Sequence, residues 1–230
     1  MEDDIITFFF AGAFTIQAST SNLIMYSINL PEVKKKILTE VDKLMNFVKD
    51  DVREKLTVDV AEEHLVYTRW AYMESLRIEP PASMTTIATF THDVTFESGV
   101  KSKLPRFTLR KGDAFNIAIE EIQKDPRHWH DPESFIPERF DEKSHYYLRP
   151  NGEMRHPLAF TPFMGGKRIC LGKTFAEITT RLTVPILMHS LNFEYAESPY
   201  LKNKPKYTIG MMGPLKVILK ISKRNEVPKY

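Results

Sequence analysis

The chain carries a single cysteine, and its setting constrains the fold more than any other feature. It sits in Phe163-Met164-Gly165-Gly166-Lys167-Arg168-Ile169-Cys170-Leu171-Gly172, a glycine-rich loop feeding a segment of helical period. One cysteine excludes a disulfide framework, a Cys-based zinc knuckle and a cysteine-held iron–sulfur cluster, so Cys170 acts alone. Backbone N–H groups and the dipole at a helix start stabilise an anion, here a thiolate. Gly165 and Gly172 let a flat ligand approach the main chain, and Arg168 is placed to meet an anionic group at the ligand's rim. An inert core cysteine is the ordinary role of a lone thiol, but that role needs neither the glycines nor the arginine.

The rest of the chain reads as one domain, mainly α with a minor antiparallel β part. Its 230 residues are 42% hydrophobic and 27% charged, which rules out wholesale disorder. A net charge of +2 gives no electrostatic case for nucleic acid. Ile5 to Leu30 is apolar enough to consider a membrane span or a secretory signal. Thr15, Gln17, Ser19, Thr20, Ser21 and Asn22 argue against the span, and the Met1-Glu2-Asp3-Asp4 start argues against the signal. The stretch is expected to be a long helix buried nearly all round.

Pro31-Glu32 opens a second helix with Val33, Ile37, Val41, Leu44 and Val48 inside, and Lys34, Lys35, Lys36, Asp42 and Lys43 on the wet side. A helix from about Asp59 to Arg77 is stopped by Pro80-Pro81. The β-formers between Ser83 and Ala118 predict a small antiparallel sheet. Residues 124 to 165 predict a long, ordered, irregular connection. A helix after Gly172, expected to start near Leu171, carries Phe175, Ile178, Leu182 and Ile186 and is kinked by Pro185. Tyr207 to Ser222, with Leu215, Val217, Leu219 and Ile221 alternating, predicts a terminal strand or hairpin.

Three further constellations carry chemistry. In Ala11-Gly12-Ala13-Phe14-Thr15, small residues admit a bulky neighbour and a hydroxyl bonds a carbonyl of the helix. Glu74 and Arg77, three residues apart, share one helical face and form a pair that is informative only if buried. Phe135-Ile136-Pro137-Glu138-Arg139-Phe140 places Arg139 as a second guanidinium for Glu74.

Together these residues resemble the cytochrome P-450 superfamily of haem-thiolate monooxygenases, in order along nearly the whole chain. Residues 11–15 are similar to its oxygen-activation stretch, Glu74 and Arg77 to its Glu-x-x-Arg pair, residues 137–140 to its Pro-Glu-Arg-Phe element, and 163–172 to its haem-binding loop. The resemblance implies the C-terminal half of that fold, residues 1–230 being a partial domain from the long central helix to the C-terminal hairpin.

It implies haem (heme, iron protoporphyrin IX) held through Cys170 as the metal ligand. Phe163, Gly165, Arg168 and Gly172 would be cofactor contacts, Thr15 the catalytic hydroxyl, and Glu74, Arg77 and Arg139 a structural triad. It further implies an apolar small organic substrate, molecular oxygen, and an electron donor such as an NADPH-dependent flavoprotein reductase or a ferredoxin. For a full-length eukaryotic member it implies the cytosolic face of the endoplasmic reticulum membrane.

Two residues depart from the pattern. Phe14 stands where the family usually has an acid, and Met84 to Phe90 lacks the usual arginine, so that one propionate contact is either absent or supplied by Arg106 or by sequence outside this chain. The first departure motivates an alternative, a haem-thiolate isomerase or dehydratase that does not use dioxygen. A truncated, non-enzymatic copy is the other. A metal-hydrolase reading of His128, His130 and Asp131 finds no supporting helix motif.

Overall fold

The computed structural model describes residues 2–97, 105–196 and 219–224. Helix α1 (Glu2–Asn29) meets α2 (Pro31–Val48) at Leu30, with Pro31 in the first helical turn, where its missing N–H costs nothing. Val33, Ile37, Val41, Leu44 and Val48 of α2 are all buried, as their spacing predicts. Asp42 is not on the wet side. It is 1% exposed and is bound bidentately by Arg224 at 2.6 and 2.6 Å, with His189 Nδ1 at 3.1 Å. This clamp ties α2 to the far end of the chain.

The helix expected over 59–77 is two. After the short α3 (Val52–Lys55), α4 (Val58–His64) begins on Thr57, whose hydroxyl accepts from Val60 N at 3.3 Å. Helix α5 (Val66–Ile78) follows a break at Leu65, and its own preceding residue supplies no cap. Glu40 of α2 does the capping instead. Its carboxylate accepts from Tyr67 N at 2.7 Å and from Thr68 N at 2.8 Å, a negative charge at a helix N-terminus.

The β region is two separate two-stranded antiparallel ladders rather than one sheet. Strand β1 (Ala88–Thr89) pairs with β4 (Ala114–Phe115), and β2 (Val94–Phe96) with β3 (Phe107–Leu109), where Phe96 stacks on Phe107. An isolated bridge joins Met84 to Ala118 just before α6 (Ile119–Gln123). The connection from 124 to 165 is irregular and ordered by short 3₁₀ turns, one of them Pro137–Phe140. Helix α7 runs Lys173–Ser190, starting two residues later than expected and continuing through Pro185. It leads into β5 (Leu191–Tyr195), which pairs antiparallel with β6 (Leu219–Lys223). Tyr207, Leu215 and Val217, expected in the terminal strand, lie outside the described residues.

One core gathers Leu23, Ile37, Leu44, Leu65, Tyr72 and Val184 from α1, α2, α5 and α7. Only the second half of α1 enters it. Ala18 to Ser27 supplies every buried position of that helix, whereas Ile5, Ile6, Phe8, Phe9, Phe10 and Phe14 are exposed. The expectation of a helix covered nearly all round therefore fails for the first half. An apolar sequence dictates a face that avoids water, but the cover has to come from another segment. Among the described residues, no helix is long and apolar enough to cross a membrane.

Candidate haem-binding site

The loop before α7 is shaped by its backbone. Met164 takes φ +61° and Gly166 φ +67°, two left-handed residues that double the chain back so that Cys170 N donates to Phe163 O at 2.9 Å. Cys170 O in turn accepts from Lys173 N at 3.3 Å, which places the cysteine directly ahead of the first turn of α7. A Cβ on Gly165 would stand 3.1 Å from Leu158 Cδ2, a tight contact, whereas one on Gly166 would meet nothing and would pay only for the backbone conformation. Gly166→Ala is accordingly expected to cost about 1–2 kcal/mol. A lowered urea midpoint measures it, and an unchanged midpoint would show that the loop relaxes to negative φ.

Cys170 is exposed and lines a hollow of ≈ 190 Å³ together with Thr15, Leu76, Met84, Phe163 and Ala176. A second hollow of ≈ 590 Å³ continues along α1 past Gly12, Ala13 and Ile16 to Phe175. Between them the two hollows are lined by residues of the Gly12–Ser19 stretch of α1 and by Cys170, Phe175 and Ala176. Gly12 leaves open space where a side chain would project. The donor set suits a flat apolar macrocycle with a metal at its centre: one sulfur and one hydroxyl in a lining that is otherwise mostly apolar. Thr15 Oγ1 donates to Ala11 O at 2.7 Å, the local helix contact expected of it. Arg168 is exposed beside the loop. Arg106 forms an exposed pair with Glu97 at 3.3 Å.

Behind the loop, Glu74, Arg77 and Arg139 converge, each fully buried. Glu74 Oε1 accepts from Arg77 Nη2 at 2.8 Å, Arg139 Nε at 3.0 Å and Ile136 N at 2.9 Å, and Oε2 accepts from Arg77 Nε at 2.8 Å. The guanidiniums spend further donors on carbonyls of the connection. Arg77 reaches Gln123 O at 2.9 Å, and Arg139 reaches Asp131 O at 2.7 Å. Burial pushes Arg139 below the ordinary arginine range, and Glu74 pulls it back toward the charged form. Trp129 lies between two cations, Arg77 at 5.1 Å and Arg155 at 4.4 Å from its ring. Burial first, and then repulsion from Arg139, pushes Arg155 down to about 10.

The residues of the hydrolase reading do not assemble. His130 packs against the rings of His145 and Tyr146, and no group of three or more metal-ligating side chains forms among the described residues.

Residues 2–221 match the family model for Cytochrome P450. The chain belongs to the cytochrome P450 family. Among its P450 relatives, a steroid 17-alpha-hydroxylase/17,20 lyase of Peromyscus leucopus is 27% identical over 91% of this chain and 38% of its own length. Cytochrome P450 9e2 of Blattella germanica is 30% identical over 84% of this chain and 34% of its own. Thromboxane-A synthase of Mus musculus is 28% identical over 81% and 31%. The chain thus spans about a third of the length of these P450 relatives.

Sequence reasoning missed Ser19, Tyr72 and Ala176 as cavity walls. Ser19 carries a usable signal, because it lies four residues after Thr15 and shares its face. Tyr72 and Ala176 carry none.

Proposed function

We propose that residues 1–230 form the C-terminal, haem-holding part of a P450 monooxygenase acting on an apolar small organic substrate. The observation that carries this is the apolar hollow whose lining includes both Cys170 and Thr15. When bound, haem supplies the activation of dioxygen. One oxygen atom enters the substrate and the other leaves as water, with two electrons and two protons drawn from outside.

The chain's own residues do the rest. Cys170 would supply the thiolate ligand to the iron, and the Cys170 N to Phe163 O bond fixes the backbone that carries it. Phe163 lines the same hollow as the cysteine, Gly165 and Gly172 would leave room for the haem at the main chain, and Arg168 would pair with a propionate. The apolar walls exclude water and favour an apolar substrate. Thr15 would hold a proton at Oγ1 for the oxygen chemistry. Glu74, Arg77 and Arg139 fasten the connection behind the loop, a structural role. Electrons come from an NADPH-dependent flavoprotein reductase or a ferredoxin, and in a eukaryotic full-length enzyme the setting is the cytosolic face of the endoplasmic reticulum.

The test is carbon monoxide on the reduced holoprotein. A strongly red-shifted Soret band marks thiolate ligation, and an imidazole-like band sinks the reading. Thr15→Ala should leave that band in place while oxygen consumption uncouples from product. Full coupling in the variant would remove Thr15 from proton handling. Turnover that consumes no reductant would indicate the isomerase or dehydratase alternative.

A further inference from the structure

Of the chain's 7 histidines, four commit Nδ1 to a partner: His64 to Val60 O, His92 to the Thr91 hydroxyl, His156 to Leu158 N and His189 to Asp42. Nδ1 of His128 is shut away from water. His130 and His145 differ from the rest. Among the described residues, neither ring commits a nitrogen to a hydrogen bond, and both reach solvent. Their ring centres lie 6.0 Å apart, with the planes at 74°. His130 follows the buried Trp129, and His145 opens the 3₁₀ turn His145–Tyr147.

Tyr146 packs against both rings, its centre 3.9 Å from His145 and 5.9 Å from His130. The neighbouring backbone is pinned on both sides. Asp131 O accepts from Arg139 Nη2 at 2.7 Å, and Tyr146 O accepts from Arg155 Nη1 at 2.7 Å. Neutral imidazole is the commonest metal ligand in proteins. Zinc–nitrogen bonds of about 2.0–2.1 Å put two imidazoles on one tetrahedral ion with ring centres about 5 Å apart. The observed spacing exceeds that by about 1 Å, and the exposed His145 ring closes the gap by turning about its broad terminal torsion. We propose that His130 and His145 hold one divalent transition-metal ion between them, with water in its other positions. No third His, Cys, Asp or Glu joins them among the described residues, so the site is open and exchangeable. Imidazole donors select zinc, copper or nickel over magnesium and calcium.

The segment between the two ligands carries the turn Pro137–Phe140, and with it Arg139. A metal bridge across its ends closes that segment into a loop and holds Arg139 against Glu74 from both flanks. Only the folded chain brings the two rings together, so an ion bound there adds to folding stability. Neither histidine lines the hollow of Cys170, and the site does not depend on the P450 reading.

The probe is zinc itself. After equilibrium dialysis against micromolar zinc, elemental analysis should find one more ion on the purified full chain than on a His130→Ala, His145→Ala double variant. Each single variant should fall to the level of the double, whereas His92→Ala should retain the ion. In urea, zinc should raise the unfolding midpoint of the wild-type chain. It should leave that of His145→Ala where it is, a substitution at an exposed ring that keeps the fold. Equal zinc on the wild type and the double variant puts the ion elsewhere, at Cys170 for example, and overturns the site. So does a wild-type chain that retains none. Zinc lost in the variants with no rise in the wild-type midpoint keeps the site and overturns its hold on the connection.

Discussion

Glu74→Ala is expected to abolish soluble, haem-loaded protein. The carboxylate is the sole counter-charge in contact with two fully buried guanidiniums among the described residues, Arg77 and Arg139. Removing it leaves two positive charges facing each other in a medium that solvates neither. Taking one partner from a buried pair costs about 3–5 kcal/mol, a large share of the total stability of an ordinary domain. Ile136 N also loses its acceptor, which frees the connection that carries Arg139. Glu74→Gln keeps the shape and one acceptor oxygen, and should fall between Ala and wild type. By contrast, Glu138→Ala breaks only a partly exposed pair with Lys36 and should cost less than about 1 kcal/mol. The measurements are soluble yield and haem-to-protein ratio. A Glu74→Ala protein that folds and loads haem normally would show that the triad is dispensable.

Cys170→His should separate ligation from folding. The cysteine makes its recorded contacts through its backbone, Cys170 N to Phe163 O and Cys170 O to Lys173 N, and both survive the substitution. The side chain faces an open cleft with room for a ring. Haem should therefore still bind, with the reduced carbon monoxide band moved to the position of imidazole ligation. Monooxygenation should fall to background with it, because a neutral ligand donates less charge toward the O–O bond than a thiolate does. A variant that keeps the red-shifted band would mean the ligand lies elsewhere.

The parts legible in the sequence are those set by local chemistry. The apolar face of α2 could be read from spacing alone, and the charges at Glu74, Arg77 and Arg139 sit on segments whose helical or proline-rich character already restricts where they can point. What escaped reading depends on partners distant in the chain. Asp42 looks like one more charge on a wet face until Arg224 and His189 arrive from the other end. The break at Leu65 has no local signal because the cap for α5 is Glu40, on another helix. The β-formers between Ser83 and Ala118 announce strands but not their pairing, and two ladders satisfy the same residues as one sheet. The exposed first half of α1 shows the same limit: a sequence sets what a helix face avoids, not what covers it. At the candidate site, the loop glycines and Cys170 form a contiguous pattern, whereas Ser19, Tyr72 and Ala176 are single residues on three helices.

Trp129 gives the molecule a built-in optical gauge. The chain has only two tryptophans, and the other, Trp70, is partly buried on α5 beside Tyr67. Trp129 is 1% exposed, and its indole is flanked by the cations of Arg77 from α5 and Arg155 from the connection. Undocking of the connection would part that ring from Arg77 and admit water in one event. In a Trp70→Phe background, the emission of Trp129 becomes a single-site report on whether the segment behind the cysteine loop is seated. It can be followed in real time during refolding or haem loading, without any added label.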